Sequence, residues 1–127
     1  MGYIMHLRKK IGHEELLTAG TGVFPVRGGK VLLQRRADNG LWTMHGGAIE
    51  IGEVPEDAAK REFFEETGLR ANALELIGVF SGPDTRYTYP NGDKVFIVGI
   101  FYLCTDFSGE VNIDPNEVRE LKWFPLG

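Results

Sequence analysis

The chain has 127 residues, 43% of them hydrophobic and 25% charged, which fits one compact globular domain rather than a disordered or repeat protein. A formal charge of −4 at pH 7 gives no general attraction to a polyanionic backbone, so a nucleic acid duplex is not an expected partner. No apolar run approaches the roughly 18 residues needed to span a bilayer, and the basic N-terminal stretch has no apolar signal core behind it, so the expectation is a cytoplasmic protein with no membrane partner.

In chain order, Arg8, Lys9 and Lys10 follow His6 and Leu7 and read as a solvated turn, being too few to track a phosphate backbone. Residues 21–26 and 30–35 read as strands joined by Arg27-Gly28-Gly29, hence a hairpin. Ala37-Asp38-Asn39-Gly40 is loop-like, and the segment from Trp42 to Ala48 crosses two adjacent glycines. Pro55 sits where a helix begins, and that helix runs to Thr67 before Gly68. Strands are expected over 74–80, 86–89 and 94–105, the last two joined by Pro90-Asn91-Gly92-Asp93, whose Asn-Gly pair is a strong hairpin signal. Cys104 continues the apolar run 98–103 and is the single cysteine, so it reads as a buried structural thiol with no partner for a disulfide or a zinc site. A last strand covers 118–124, giving strands, one central helix and more strands in one α/β domain.

The helix carries Glu62, Glu65 and Glu66 at positions i, i+3 and i+4, which confines three carboxylates to one face. Each like-charged pair costs on the order of 0.2–0.5 kcal/mol in an isolated helix, so a neutralising cation is expected, and hard oxygen donors suit magnesium or manganese better than zinc. Taken alone, such a run reads equally well as a solvated helix face. Its surroundings decide: Gly47, five residues, Glu53, seven residues, then Arg61-Glu62-Phe63-Phe64-Glu65-Glu66-Thr67-Gly68-Leu69. From Gly47 to Leu69 this resembles the Nudix box at every specified polar and glycine position. Seven fixed identities arise by chance about once in 10⁸ placements at average composition. The preceding hairpin, Gly46-Gly47 and Lys122-Trp123-Phe124 also look like the Nudix hydrolase family.

The resemblance implies an α/β/α sandwich with a mixed β-sheet, formed by a single domain over 1–127, and a metal-dependent hydrolase acting on a small nucleotide substrate. It implies Glu62 and Glu66 as the strongest ligands for Mg2+ or Mn2+, then Glu65, with the carbonyl of Gly47 completing the shell. Arg61 is expected to orient Glu53 by a charge-assisted contact. Water would attack phosphorus in a phosphoanhydride, with Glu53 or Glu65, or Glu117 or Glu120 from outside the box, accepting its proton. A homodimer stays open.

Departures from the family pattern are also legible. Val54 precedes Pro55 where many relatives carry a Ser or Thr cap, which weakens the helix start by about 1 kcal/mol, offset in part by Glu56 and Asp57. His45 replaces a common proline and reads as structural rather than phosphate-binding. Phe63 is bulkier than the usual aliphatic residue and is expected under the helix, with Phe64 pointing away from the metal face. The chain stops at Gly127, where many relatives continue into another helix. The box leaves the substrate's other half undefined: Trp42 and Tyr87 are candidates to stack a base, and Arg35 or Arg86 to contact phosphate. ADP-ribose, dinucleoside polyphosphates and modified nucleoside triphosphates remain open as substrates, and a nucleotide sensor or a protein-binding scaffold would keep the fold without turnover.

Overall fold

A computed structural model describes residues 2–127. The chain runs α1 (Tyr3–Ile11), β1 (Leu16–Arg27), β2 (Lys30–Arg36), β3 (Trp42–Thr43), β4 (His45–Ala48), α2 (Pro55–Thr67), β5 (Leu69–Phe80), β6 (Arg86–Thr88), β7 (Lys94–Gly109) and β8 (Val118–Pro125), with a short 3-10 turn at Pro83–Thr85. The central path of the sheet is β3-β2-β1-β7-β5, with β4 on β1, β6 on β7 and β8 on β2. It is a mixed sheet, because β1 and β7 run parallel while the other pairs are antiparallel. This is the α/β architecture expected from the sequence.

The two faces of β1 and β7 follow from strand alternation. Val23, Tyr102 and Cys104 point to the side of α2, where they join Leu32, Ala59, Phe63, Leu69 and Phe107 in the core. Phe63 is fully buried, its ring edge-on to Phe107 at 6.2 Å, and Cys104 is a buried free thiol. Phe64, one residue on, is half-exposed beneath the Arg70 guanidinium, 4.5 Å from the ring centre.

α2 has the bounds the sequence implies, because both of its ends are locally encoded. Proline occupies the first turn, and Gly68 closes the helix at φ 81° while its N–H reaches the carbonyl of Phe64. A side chain at 68 would be both left-handed and against the Asn112 amide, 2.6 Å from its Cβ position. The start lacks a cap: Val54 is extended, exposed and makes no side-chain hydrogen bond to the helix. Val54→Ser should therefore raise the unfolding free energy by about 1 kcal/mol, read as a higher urea midpoint at unchanged slope. An unchanged midpoint would mean that the first-turn acids already offset the missing cap.

The N-terminal segment departs from expectation. Residues 3–11 form a helix rather than a solvated turn, and Arg8 within it is buried. Its guanidinium donates to the carbonyls of Gly12, Glu14 and Lys94 and lies 3.7 Å from Asp93, partners spread over 86 positions of chain that no local reading could assemble. β5 begins at Leu69, five residues before the expected start, and β7 extends to Gly109, because the two pair across irregular registers near Ala71, Ala73 and Leu76. The Asn-Gly turn does join β6 and β7 as an antiparallel hairpin.

Candidate active site

The acidic face of α2 meets β4 where the backbone carries no side chains. At Gly46 a Cβ would stand 1.8 Å from the Thr21 carbonyl oxygen, so β4 can approach β1 this closely only with glycine. At Gly47 a Cβ would stand 2.7 Å from the Glu62 carboxyl carbon, so the glycine opens the space that the Glu62 carboxylate fills. Glu66 lies beside it, accepting from the Gly46 N–H at 3.0 Å and from Gln34 Nε2 at 2.6 Å.

Arg61 ties the rest together. It donates to both oxygens of Glu53, at 2.7 and 3.0 Å, to Glu62 at 2.8 Å and to the Ala48 carbonyl at 3.2 Å, and it lies 3.4 Å from Glu65. Glu53 also accepts from the Glu50 N–H, which with Arg61 holds its carboxyl below the usual carboxylate range. The repulsion expected along this helix face is thus met in part from within, by one guanidinium facing three carboxylates. Burial acts in the opposite sense on Glu62 and Glu66. It raises Glu62 despite Arg61, and it pushes Glu66 up to about 7 despite its two donors.

Among the described residues, no three carboxylate, thiolate or imidazole groups stand close enough to cage an ion by themselves. What is present is an open set of hard oxygens: Glu62 and Glu66 one helical turn apart, next to Gly47, on a cavity of about 410 Å³ also lined by Glu65 and Glu117. Such a set fits a divalent cation that keeps several waters or substrate oxygens, as magnesium does, rather than an all-protein cage.

A larger cleft of about 950 Å³ adjoins this cavity, and Gln34, Arg36, Gly46 and Glu66 line both. Trp42 and Tyr87 line the large cleft; the Trp42 ring packs edge-on to Phe124 at 5.0 Å, and the Tyr87 hydroxyl accepts from Asn39. Arg86 lines it too, paired with Glu15. Arg35 lines neither cavity: it donates to the Gly40 carbonyl and pairs with Glu120 at 3.6 Å on the other side of the sheet. The reason is the strand period of two, which sends Gln34 and Arg36 to one face and Arg35 to the opposite one. That alternation was visible in Leu32-Leu33-Gln34-Arg35-Arg36 and could have singled out Arg36, which is held by Asp38 at 2.6 and 2.9 Å. His45 is fully buried, donates from Nε2 to the Leu32 carbonyl at 2.9 Å, and is pushed down to about 4 by burial, so it belongs to the core and not to the cleft.

The Nudix domain family model matches residues 16–127. The chain belongs to this family. This Nudix chain is 48% identical over 102 residues to a MutT-like protein of Streptomyces ambofaciens, spanning 80% of the present chain and 59% of that protein. It is 34% identical over 100 residues to an ADP-ribose pyrophosphatase of Methanocaldococcus jannaschii, spanning 76% of this chain and 55% of the other. It therefore covers less than two thirds of the length of either relative. Its structure is similar to a MutT Nudix hydrolase from Burkholderia pseudomallei, with a TM-score of 0.73 and 32% identity over 86% of this chain and 83% of that one. Helix α1 lies outside the Nudix match, and no described helix is long and apolar enough to cross a membrane.

Proposed function

We propose that this Nudix domain cleaves a phosphoanhydride bond in a nucleoside diphosphate linked to another group, by attack of water on phosphorus. One observation carries the reading: an acidic, hard-oxygen cavity opens through Gln34, Arg36, Gly46 and Glu66 into a larger and mainly apolar cleft. A substrate with a charged end and a flat organic end fits that division.

Glu62 and Glu66 would hold a divalent cation, Mg2+ or Mn2+, with Glu65 on the same cavity as a further ligand; Gly47, whose carbonyl is the remaining expected ligand, borders the larger cleft instead. When bound, such a cation lowers the pKa of water and neutralises charge on the phosphate oxygens. Arg61 fixes Glu62 and Glu53 in place, so Glu53 positions the box and its lone pairs are already engaged. Glu65 and Glu117 line the acidic cavity, which supports either as the group that would accept a proton from attacking water; Glu120 pairs with Arg35 instead. Arg36, at the mouth of both cavities, would meet substrate phosphate, and Tyr87 borders the space for the base; Trp42 lines the cleft too, but it stands opposite Arg35 in the β2–β3 register and its ring packs on Phe124.

The test is a product-resolved screen of nucleoside triphosphates, nucleotide sugars, ADP-ribose and dinucleoside polyphosphates, run with magnesium, manganese or chelator in oxygen-18 water. At least one substrate should be cleaved only with the cation, with label on a phosphate-containing product. No cation-dependent product across the panel would point to a sensor or scaffold, and label on a sugar carbon alone would exclude attack at phosphorus.

A further inference from the structure

Helix α1 is an unusual wall for the large cleft. It has nine residues, too few to be stable by themselves, so its place depends on what anchors it. Both anchors are polar. At its start the Tyr3 N–H donates to Glu50 at 2.7 Å, and near its end Arg8, the one buried residue of the helix, holds the carbonyls of Gly12, Glu14 and Lys94. Its apolar residues do not dock into the core: Ile4 and Met5 border the cleft, and Met5 is 61% exposed.

Across the cleft lies the sheet face opposite α2. The parallel register sets Thr18 beside Ile97, Gly20 beside Gly99 and Gly22 beside Phe101. Gly20 leaves bare backbone there, with nothing nearer its Cβ position than the Gly47 carbonyl oxygen at 3.4 Å and an Ile97 methyl at 3.6 Å. The Phe101 ring leans over Gly99, its edge 2.7 Å from where a Cβ would stand, and is itself stacked on Phe80. The floor is therefore low at Gly20 and partly aromatic at Phe101, with the Met44 thioether filling the place of a side chain at Gly22; it is continuous with the acidic cavity, and α1 borders the same cleft with aliphatic side chains.

We propose that α1 is the discriminating wall of the substrate cleft: the planar ring of the nucleotide lies between the Gly20–Phe101 floor and the Ile4–Met5 side of α1, with Arg8 as the positioning residue that holds the wall in place. The inference rests on the phosphate end of the substrate lying in the acidic cavity. The occupant is an aromatic base rather than a sugar or an acyl chain because one surface is partly aromatic and the other aliphatic, and both lose apolar area to water until a ring covers them.

The experiment uses the full chain with magnesium and measures binding by calorimetry for ADP, GDP and UDP and for inorganic triphosphate as a base-free probe, beside steady-state kinetics on accepted substrates. An Ile4→Ser, Met5→Ser double variant should raise Kd and KM for at least one nucleotide roughly tenfold, the scale of one lost base contact, and leave triphosphate binding within about twofold. Met5→Leu, which keeps an aliphatic side chain of similar size, should retain most of the nucleotide affinity that Met5→Ser loses. Met5→Ser alone, at an exposed position, gives the same comparison should the double variant melt early. Equal weakening of nucleotides and triphosphate, or no change in either, overturns the role of α1. If the unsubstituted protein cleaves nucleotides but the variants keep the same preference, this inference falls while the proposed reaction stands. If it binds nucleoside diphosphates but cleaves no nucleoside triphosphate, nucleotide sugar, ADP-ribose or dinucleoside polyphosphate, the reaction falls, and the base-selective loss still decides on α1. Failure of the unsubstituted protein to bind any nucleoside diphosphate overturns both.

Discussion

Replacing Glu66 by Gln should lower kcat by on the order of 10²–10³-fold or more while the protein remains folded. Glu66 stands at the junction of the two cavities and accepts from Gln34 on Oε1 at 2.6 Å and from Gly46 on both oxygens, at 3.3 and 3.0 Å; a glutamine oxygen at the Oε1 position keeps the Gln34 bond and the longer Gly46 bond, and gives up the shorter one. What the substitution removes is the charge, and with it a carboxylate proposed to bind the cation. The consequences for stability have opposite signs with and without metal. Burial already disfavours the charged form of Glu66, so in chelator the variant should melt at or above the temperature of the unsubstituted protein. At a free magnesium concentration 100 times the dissociation constant, a site that binds only the folded state adds about 2.7 kcal/mol, and the variant should gain less than that. Thermal melts across a magnesium titration, paired with initial rates, read both effects. A magnesium shift of undiminished size in Glu66→Gln would remove Glu66 from the ligands.

Arg61→Ala should damage both stability and turnover, and more than a surface ion pair would. The guanidinium meets Glu53, Glu62 and Glu65 together with the Ala48 carbonyl, and Glu53 and Glu62 are only 17% and 18% exposed. Removing it leaves two mostly buried carboxylates without their cation. Breaking a fully buried pair costs about 3–5 kcal/mol and an exposed one 0–1; with Arg61 itself 32% exposed, about 2 kcal/mol is expected. Turnover should fall roughly 10–100-fold, the scale for losing a group that orients metal ligands. Arg61→Lys should recover little, since a single ammonium cannot span two oxygens of Glu53 and one of Glu62 at once. Part of the stability loss should return with magnesium, because a bound cation replaces some of the missing positive charge. Urea unfolding with and without magnesium measures this, and a loss identical in both conditions would separate Arg61 from the metal site.

The sequence by itself determined the elements whose instructions are local. Pro55 and Gly68 bracket α2, the i, i+3, i+4 spacing puts Glu62, Glu65 and Glu66 on one face, the Asn-Gly pair turns β6 into β7, and Gly47 to Leu69 identifies the family. These are short-range facts of helix pitch, turn geometry and residue identity. The tertiary structure decided whatever depends on distant partners. Arg8-Lys9-Lys10 looks solvated until the carbonyls of Glu14 and Lys94 arrive to bury Arg8, and a nine-residue helix then becomes a wall of the cleft. Arg35 and Arg36 are chemically alike in the chain, but pairing of β2 with β8 turns Arg35 onto Glu120 and leaves Arg36 at the mouth of both cavities. The starting residue of β5 likewise waits on the irregular register with β7. A helix cap or a turn is stabilised by neighbours a few residues away, so its signal is written in the string; a buried guanidinium is stabilised by groups that only folding brings within reach, and which face of a strand meets a cleft is set by the strands paired beside it.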